Sequence, residues 1–259
     1  LCGLFSKDNL VGAYHYLNEA SKEKDLPDMG GCMARMEYTM SISWMIFDRR
    51  TINWIVSFLK RYSISEVFEI GAGNGFFSAL MNHRETQEKY LFNCLATDPM
   101  LSHGSSPEKQ YSKVEELDAS QAVSKYGPTS QMMTSIWPSH NESWAGDAIK
   151  QFRLLPCNNE RFVLYGGESE GGMTGDDAMF EEFDNHWTIV GKFDCPQWWG
   201  IHDYLTLYIC NPSESYLQIG PLPENDDEDD EDDEDDEDDE DDEDDEDDED
   251  DEDDEDESS

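Results

Sequence analysis

Apolar positions between residues 51 and 210 fall into short runs that alternate between two periods. Ile52, Ile55, Val56 and Leu59 share one face of a helix. Thr51 is the expected N-cap, and Lys60 and Arg61 suit the negative end of the helix dipole. Val67-Phe68-Glu69-Ile70 then reads as a short strand. Helical spacing resumes at Phe76, Phe77, Leu80 and Met81, directly after Gly71-Ala72-Gly73-Asn74-Gly75. The alternation continues with a strand at 91–97, a helix at 116–125, a strand at 131–137, a helix at 144–152, a strand at 161–165 and a helix at 176–183. Two β-rich runs follow, 187–193 and 204–210, with no helix of any length between them. Strands alternating with helices predict an α/β fold, a mostly parallel sheet with helices on both faces. The last two strands predict an antiparallel hairpin at one edge.

Outside those limits the pattern weakens. Residues 1–50 read as an N-terminal helical or irregular extension, with a short helix around 11–20. The folded domain is assigned to 51–212, a linker to 213–223 and an acidic tail to 224–259.

Charge sharpens that division. The chain of 259 residues has a formal charge of −45, from 62 acidic and 17 basic side chains. The stretch 224–257 holds 33 of those acids and one Asn, so the remainder carries 29 acids against 17 bases, a net of −12. The tail is the triplet Asp-Asp-Glu repeated ten times over 226–255. It contains no apolar side chain to offset the entropy of ordering, so it is expected to be disordered. Two readings of it stay open: a tolerated low-complexity extension, or a polyanionic arm for basic proteins. General nucleic-acid binding is disfavoured, because phosphate recognition rests on Lys and Arg releasing counterions.

No apolar run approaches the roughly 20 residues of a membrane-spanning helix. The start, LCGLFSKDNL, lacks the layout of a signal peptide, although the chain begins at Leu1 and upstream residues remain open. Six cysteines are scattered without a C-x-x-C pair, which suggests reduced thiols and no metal site. An intracellular protein, cytoplasmic or nuclear, is the expectation.

The candidate chemistry lies at the glycine run. A strand, a glycine-rich turn and a helix bring backbone close to a ligand. The dinucleotide fingerprint needs G-x-G-x-x-G, but here Gly71, Gly73 and Gly75 run G-x-G-x-G and Phe76 stands where the third glycine would be. That spacing disfavours a nucleotide-linked dehydrogenase. Glu69 precedes the first glycine by two residues, and Asp98 ends the next strand. A carboxylate beside an ammonium is favourable, whereas beside a pyrophosphate it repels.

This arrangement resembles motif I of the class I S-adenosylmethionine-dependent methyltransferases. The resemblance implies a Rossmann-like, seven-stranded, mostly parallel sheet with helices on both faces and a C-terminal antiparallel hairpin. It also implies S-adenosyl-L-methionine as cofactor, held by Glu69, Gly71, Gly73 and Gly75, with Asp98 on the ribose and Asp118 near the adenine. More locally the chain is similar to an uncharacterised branch of that family. The shared features are an aromatic segment (Tyr38, Trp44), Trp137-Pro138, a G-E-x-x-G-G-x-T loop from Gly167 to Thr174, and Pro196 with Trp198. The methyl acceptor, a small molecule or a protein, is not indicated by any of these.

Each site residue also has a plainer reading. Asp98-Pro99 is a turn signal, and Asp118 suits a helix cap. Trp137 and Pro138, after the fourth predicted strand, are candidates for the acceptor pocket. His140 is the candidate general base there, or a surface loop histidine. Amino-methylating relatives carry two adjacent prolines at this place, and this chain has S-I-W-P instead. The glycine-rich loop bearing Glu168 and Glu170 is a lid, a substrate rim or, more simply, an exposed turn. The alternative to an enzyme is an inactive methyltransferase-like body whose acidic tail binds basic proteins.

Overall fold

The computed structural model describes residues 35, 38–99, 110–156, 160–198 and 200–210. The helix expected at 11–20, the linker and the acidic tail lie outside the described residues.

Seven strands form one sheet in the order β3-β2-β1-β4-β5-β7-β6. They are β1 (Glu66–Ile70), β2 (Asn93–Asp98), β3 (Val114–Glu116), β4 (Met132–Ile136), β5 (Arg161–Gly167), β6 (Trp187–Asp194) and β7 (Tyr204–Cys210). The pairs β1–β2, β1–β4, β2–β3 and β4–β5 are parallel, whereas β5–β7 and β6–β7 are antiparallel. The mostly parallel sheet and closing hairpin expected from the sequence are therefore present. The hairpin's second strand, β7, inserts between β5 and the edge strand β6.

The helices are α1 (Arg49–Arg61), α2 (Phe76–Met81), α3 (Arg84–Lys89), α4 (Ala119–Tyr126), α5 (Trp144–Leu154) and α6 (Asp177–His186). Successive strand residues point to opposite faces, and both faces are apolar. Val67, Met132, Phe162, Leu205 and Leu207 pack with α1 and α2. Phe68, Met133, Val163 and Tyr165 pack with α4, α5 and α6. Burial on both sides explains why the central strands read as continuous apolar runs rather than alternating ones.

Three local expectations change. Asp48, not Thr51, caps α1: its Oδ1 accepts the Thr51 amide at 2.8 Å and the Thr51 hydroxyl at 2.7 Å. A buried carboxylate outcompetes a hydroxyl as acceptor for helix N–H groups. The helix assigned to 116–125 starts at Ala119, and the residues before it form the edge strand β3. The folded core also begins before residue 51. Tyr38, Ile42, Met45, Ile46 and Phe47 are buried in the cluster that α1 completes. Cys94, Cys195 and Cys210 are free and buried. Burial raises the thiol pKa of Cys94 and Cys195, which makes them poor nucleophiles.

Candidate functional site

The chain runs β1, β2, β3 towards one edge and then returns to the other side of β1 as β4. The strand order therefore reverses between β1 and β4, and crevices at the carboxyl ends of strands at such a point are where open α/β sheets bind ligands. Ile70 and Ser135 are partners across that gap, so the glycine loop after β1 and the Trp137 turn after β4 stand side by side.

The loop is shaped by its glycines and by the end of β2. Gly71, Gly73 and Gly75 have φ of +67°, +55° and +75°, a region that costs other L-residues about 1–2 kcal/mol each. The Ala72 amide donates to the Thr97 carbonyl at 3.0 Å. The Gly73 amide donates to Asp98 Oδ2 at 2.9 Å. Asp98 thus sits against the loop, partly exposed, at the strand end where the sequence places it. The three glycines differ in their surroundings. A β-carbon on Gly71 would lie 2.6 Å from Trp144 Cη2, and one on Gly75 would collide with Ser112 and Val114. One on Gly73 would meet nothing within 4 Å. The first and last glycines answer to packing, whereas the middle one borders open space.

Glu69 lies below the loop, with 2% of its surface exposed. Its Oε2 accepts the Ser78 hydroxyl at 2.5 Å. Burial pushes the carboxyl up to about 8, against the pull of the Ser78 hydrogen bonds and with a further push from Asp98. A cation bound above the loop would favour its ionised form.

The outer wall of the loop comes from residues 38–41 and 110–112. The Ser41 carbonyl accepts the Asn74 side-chain amide at 3.2 Å and the Tyr111 hydroxyl at 3.3 Å. Tyr111 also stands edge-on to Phe76, with ring centroids 5.1 Å apart.

Asp118 is exposed and caps α4. Its Oδ1 accepts the Gln121 amide at 2.8 Å, and Gln121 answers with Oε1 on the Asp118 amide at 3.0 Å. The observed work of this carboxylate is the capping box. His140 is exposed and makes no hydrogen bond or ion pair among the described residues.

On the β4 side, Trp137 holds an unusual backbone, φ +53°. Its amide donates to the Gly166 carbonyl at 2.7 Å, and its indole Nε1 donates to Asp203 Oδ1 at 2.8 Å. Trp44 stacks on it, with centroids 5.3 Å apart and planes 13° from parallel. Pro138, buried, accepts the Gly175 amide through its carbonyl at 3.1 Å.

The Gly-rich loop after β5 is clamped. Glu168 is buried, and its Oε2 accepts the Met173 amide at 2.7 Å while Oε1 accepts the His202 amide at 2.9 Å. Thr174 Oγ1 takes the Glu168 amide at 2.9 Å and pairs with the Tyr165 hydroxyl at 2.6 Å. Glu168 thereby ties this loop to the connection entering β7.

Asp203 was not singled out by the sequence. It precedes β7 with none of its surface exposed. Burial raises its carboxyl to about 7; the Trp137 indole opposes this, Glu168 adds to it, and Arg35 opposes it. An acid before a strand has no local signature, and its partner Trp137 is 66 residues away.

No family model matches the chain, and no curated protein matches it. Solved structures do resemble it. Magnesium protoporphyrin IX methyltransferase from Synechocystis PCC 6803, with bound SAM, is 10% identical; the match covers 78% of this chain and 97% of that one, with a TM-score of 0.44. A putative O-methyltransferase from Klebsiella pneumoniae is 10% identical, covering 77% and 96%, with a TM-score of 0.45. The N-methyltransferase NodS from Bradyrhizobium japonicum WM9, in complex with S-adenosyl-l-homocysteine, is 13% identical, covering 77% and 99%, with a TM-score of 0.40. Among the described residues, no helix is long and apolar enough to cross a membrane.

Proposed function

We propose that the protein is a methyltransferase that takes S-adenosyl-L-methionine at the glycine loop. The observation that carries this reading is the open space at Gly73, bordered by the Asp98 carboxylate, at the sheet's switch point. The surroundings fit that group. Asp98 offers an acceptor for a pair of ribose hydroxyls, and Glu69 places latent negative charge beneath a cationic ligand. Ionised Glu69 would repel a pyrophosphate in the same place.

The cofactor supplies an activated methyl on a sulfonium, so the protein's part is positioning and exclusion of water rather than acid–base chemistry. Gly73 lets the backbone approach the ligand, while Gly71 and Gly75 let the loop pack against Trp144 and against Ser112 and Val114. Trp137 and Pro138 line the neighbouring strand end, where an acceptor would stand. Proton acceptance by His140 has weaker support, because its exposed ring has no partner that would orient it among the described residues.

Calorimetric titration of the full chain with S-adenosylmethionine is the test. Saturable binding is expected, with Asp98→Ala weakening it by about ten- to hundredfold, the value of one or two hydrogen bonds to a charged acceptor. Heats indistinguishable from dilution, or equal affinity in the variant, would remove the basis for the reading.

A further inference from the structure

We propose that Asp203, roofed by Trp137 and Trp44, anchors an acceptor subsite for an organic cation, an ammonium group carried on an apolar body. The inference rests on the methyl-transfer reading for the word acceptor, but its geometry is independent of the glycine loop.

Exposure falls in steps through this cluster. Trp44 is 50% exposed, Trp137 is partly buried beneath it, and Asp203 at the bottom is fully covered. One carboxylate oxygen of Asp203 receives the Trp137 indole, while Oδ2 has no hydrogen-bond partner. A buried carboxylate oxygen without a donor is costly, and native structures retain such groups where a ligand or a chemical task uses them. The charge around it is also unbalanced. Glu168 and Asp203 are both buried carboxylates that act on each other, and Arg35 is the basic group that acts on Asp203. Asp194 adds negative charge nearby, since both it and Asp203 act on Cys195, whereas Asp48 there is paired with Arg50 at 3.0 Å. Glu168 has both oxygens committed to backbone amides, so Asp203 is the carboxylate with capacity to spare.

The aromatic pair fits the same ligand. Indole faces attract cations, and the chain already shows this, with the Arg35 guanidinium carbon 5.9 Å from the Trp137 ring centre. The exposed face of Trp44 offers a second ring for an apolar body. Trp137 adopts its left-handed backbone here, strain that clusters at ligand sites. Trp137 spans from β4 to Asp203 before β7, which places the anchor along the crest from the glycine loop rather than on it.

Full-length protein labelled with 15N at tryptophan provides the test, with Trp137→Phe identifying the Trp137 indole resonance. The probes are 2-phenylethylamine and its neutral counterpart 2-phenylethanol. The amine is expected to shift the Trp137 indole peak and to bind at least tenfold tighter than the alcohol. Asp203→Asn is expected to lose at least tenfold in amine affinity while binding S-adenosylhomocysteine as the unaltered chain does, and Asp203→Glu to recover part of the loss. Trp44→Ala should weaken amine binding severalfold while lowering the melting temperature by no more than a few degrees, the loss of its stack on Trp137. Equal affinity for amine and alcohol, an unmoved Trp137 peak, or full amine affinity in Asp203→Asn would overturn the proposal. If the amine behaves as expected but S-adenosylhomocysteine does not bind, the cation site stands and the methyltransferase reading falls. The reverse result removes the cation site alone.

Discussion

Replacing the loop glycines by alanine one at a time separates packing from ligand space. All three have positive φ, so each alanine carries a backbone cost of about 1–2 kcal/mol. At Gly73 nothing is added to that cost, because the new methyl would meet nothing within 4 Å. At Gly75 the methyl would overlap the Ser112 hydroxyl and lie 2.8 Å from Val114 Cγ2. Overpacking of that kind adds about 1–3 kcal/mol. Gly73→Ala is therefore expected to be the milder change, lowering Tm by a few degrees, with Gly75→Ala lowering it about twice as far. Affinity should rank the other way relative to stability. A methyl at residue 73 occupies the space assigned to the cofactor, so binding of S-adenosylhomocysteine should fall at least tenfold despite a nearly intact fold. Thermal melts and calorimetry on the two variants measure both quantities. Wild-type affinity in Gly73→Ala would refute the claim that the space beside Gly73 is a ligand site. A Gly73→Ala Tm below that of Gly75→Ala would refute the steric argument.

Other outcomes follow from the same contacts. Asp118→Ala should cost about 1 kcal/mol through loss of the α4 cap, with cofactor affinity unchanged; a tenfold loss of affinity would restore Asp118 to the binding site. Glu69 has a folded pKa of about 8, above the usual value of 4.5, so its contribution is fully present below pH 4.5 and lost as pH rises through 8. Glu69→Gln should therefore gain stability relative to the unaltered chain across that window, by up to about 1.4 kcal/mol per pH unit; parallel pH–stability curves would contradict this. Glu168→Ala should free the loop between β5 and α6, seen as faster proteolysis near Met173 at unchanged secondary structure by circular dichroism.

Much of the architecture was legible because it rests on local signals. A strand, three glycines and a resumed helical period mark the β1–α2 turn, and Asp98 could be placed by its strand end. What escaped the sequence depends on partners distant along the chain. Val114–Glu116 is three residues long and becomes a strand only because β2 offers an open edge. By pattern alone it merges with the helical spacing of Leu117, Ala119, Ala122 and Val123. The cap at Asp48 was missed because Thr51 is an equally good capping residue until the buried acid is seen to bind it. Residues 38–47 gave no regular period, yet Tyr38, Ile42, Met45 and Phe47 fill the space between α1 and the sheet. The glycines around Glu168 left a lid, a substrate rim and an exposed turn open, and only the folded chain shows its carboxylate buried on the Met173 and His202 amides. Asp203 could be found only through Trp137.

The Ser41 carbonyl receives two donors, Asn74 from within the glycine loop and Tyr111 from the segment before β3. Three stretches far apart in sequence therefore share one acceptor atom. If a ligand strengthens the bond from Asn74, linkage requires that it also favour the docked state of the chain around Ser41, by the same free energy in each direction. Amides near residues 42–47 would then exchange with solvent more slowly when the loop is filled, without touching the ligand. The coupling would then be read out at a carbonyl that takes no part in chemistry.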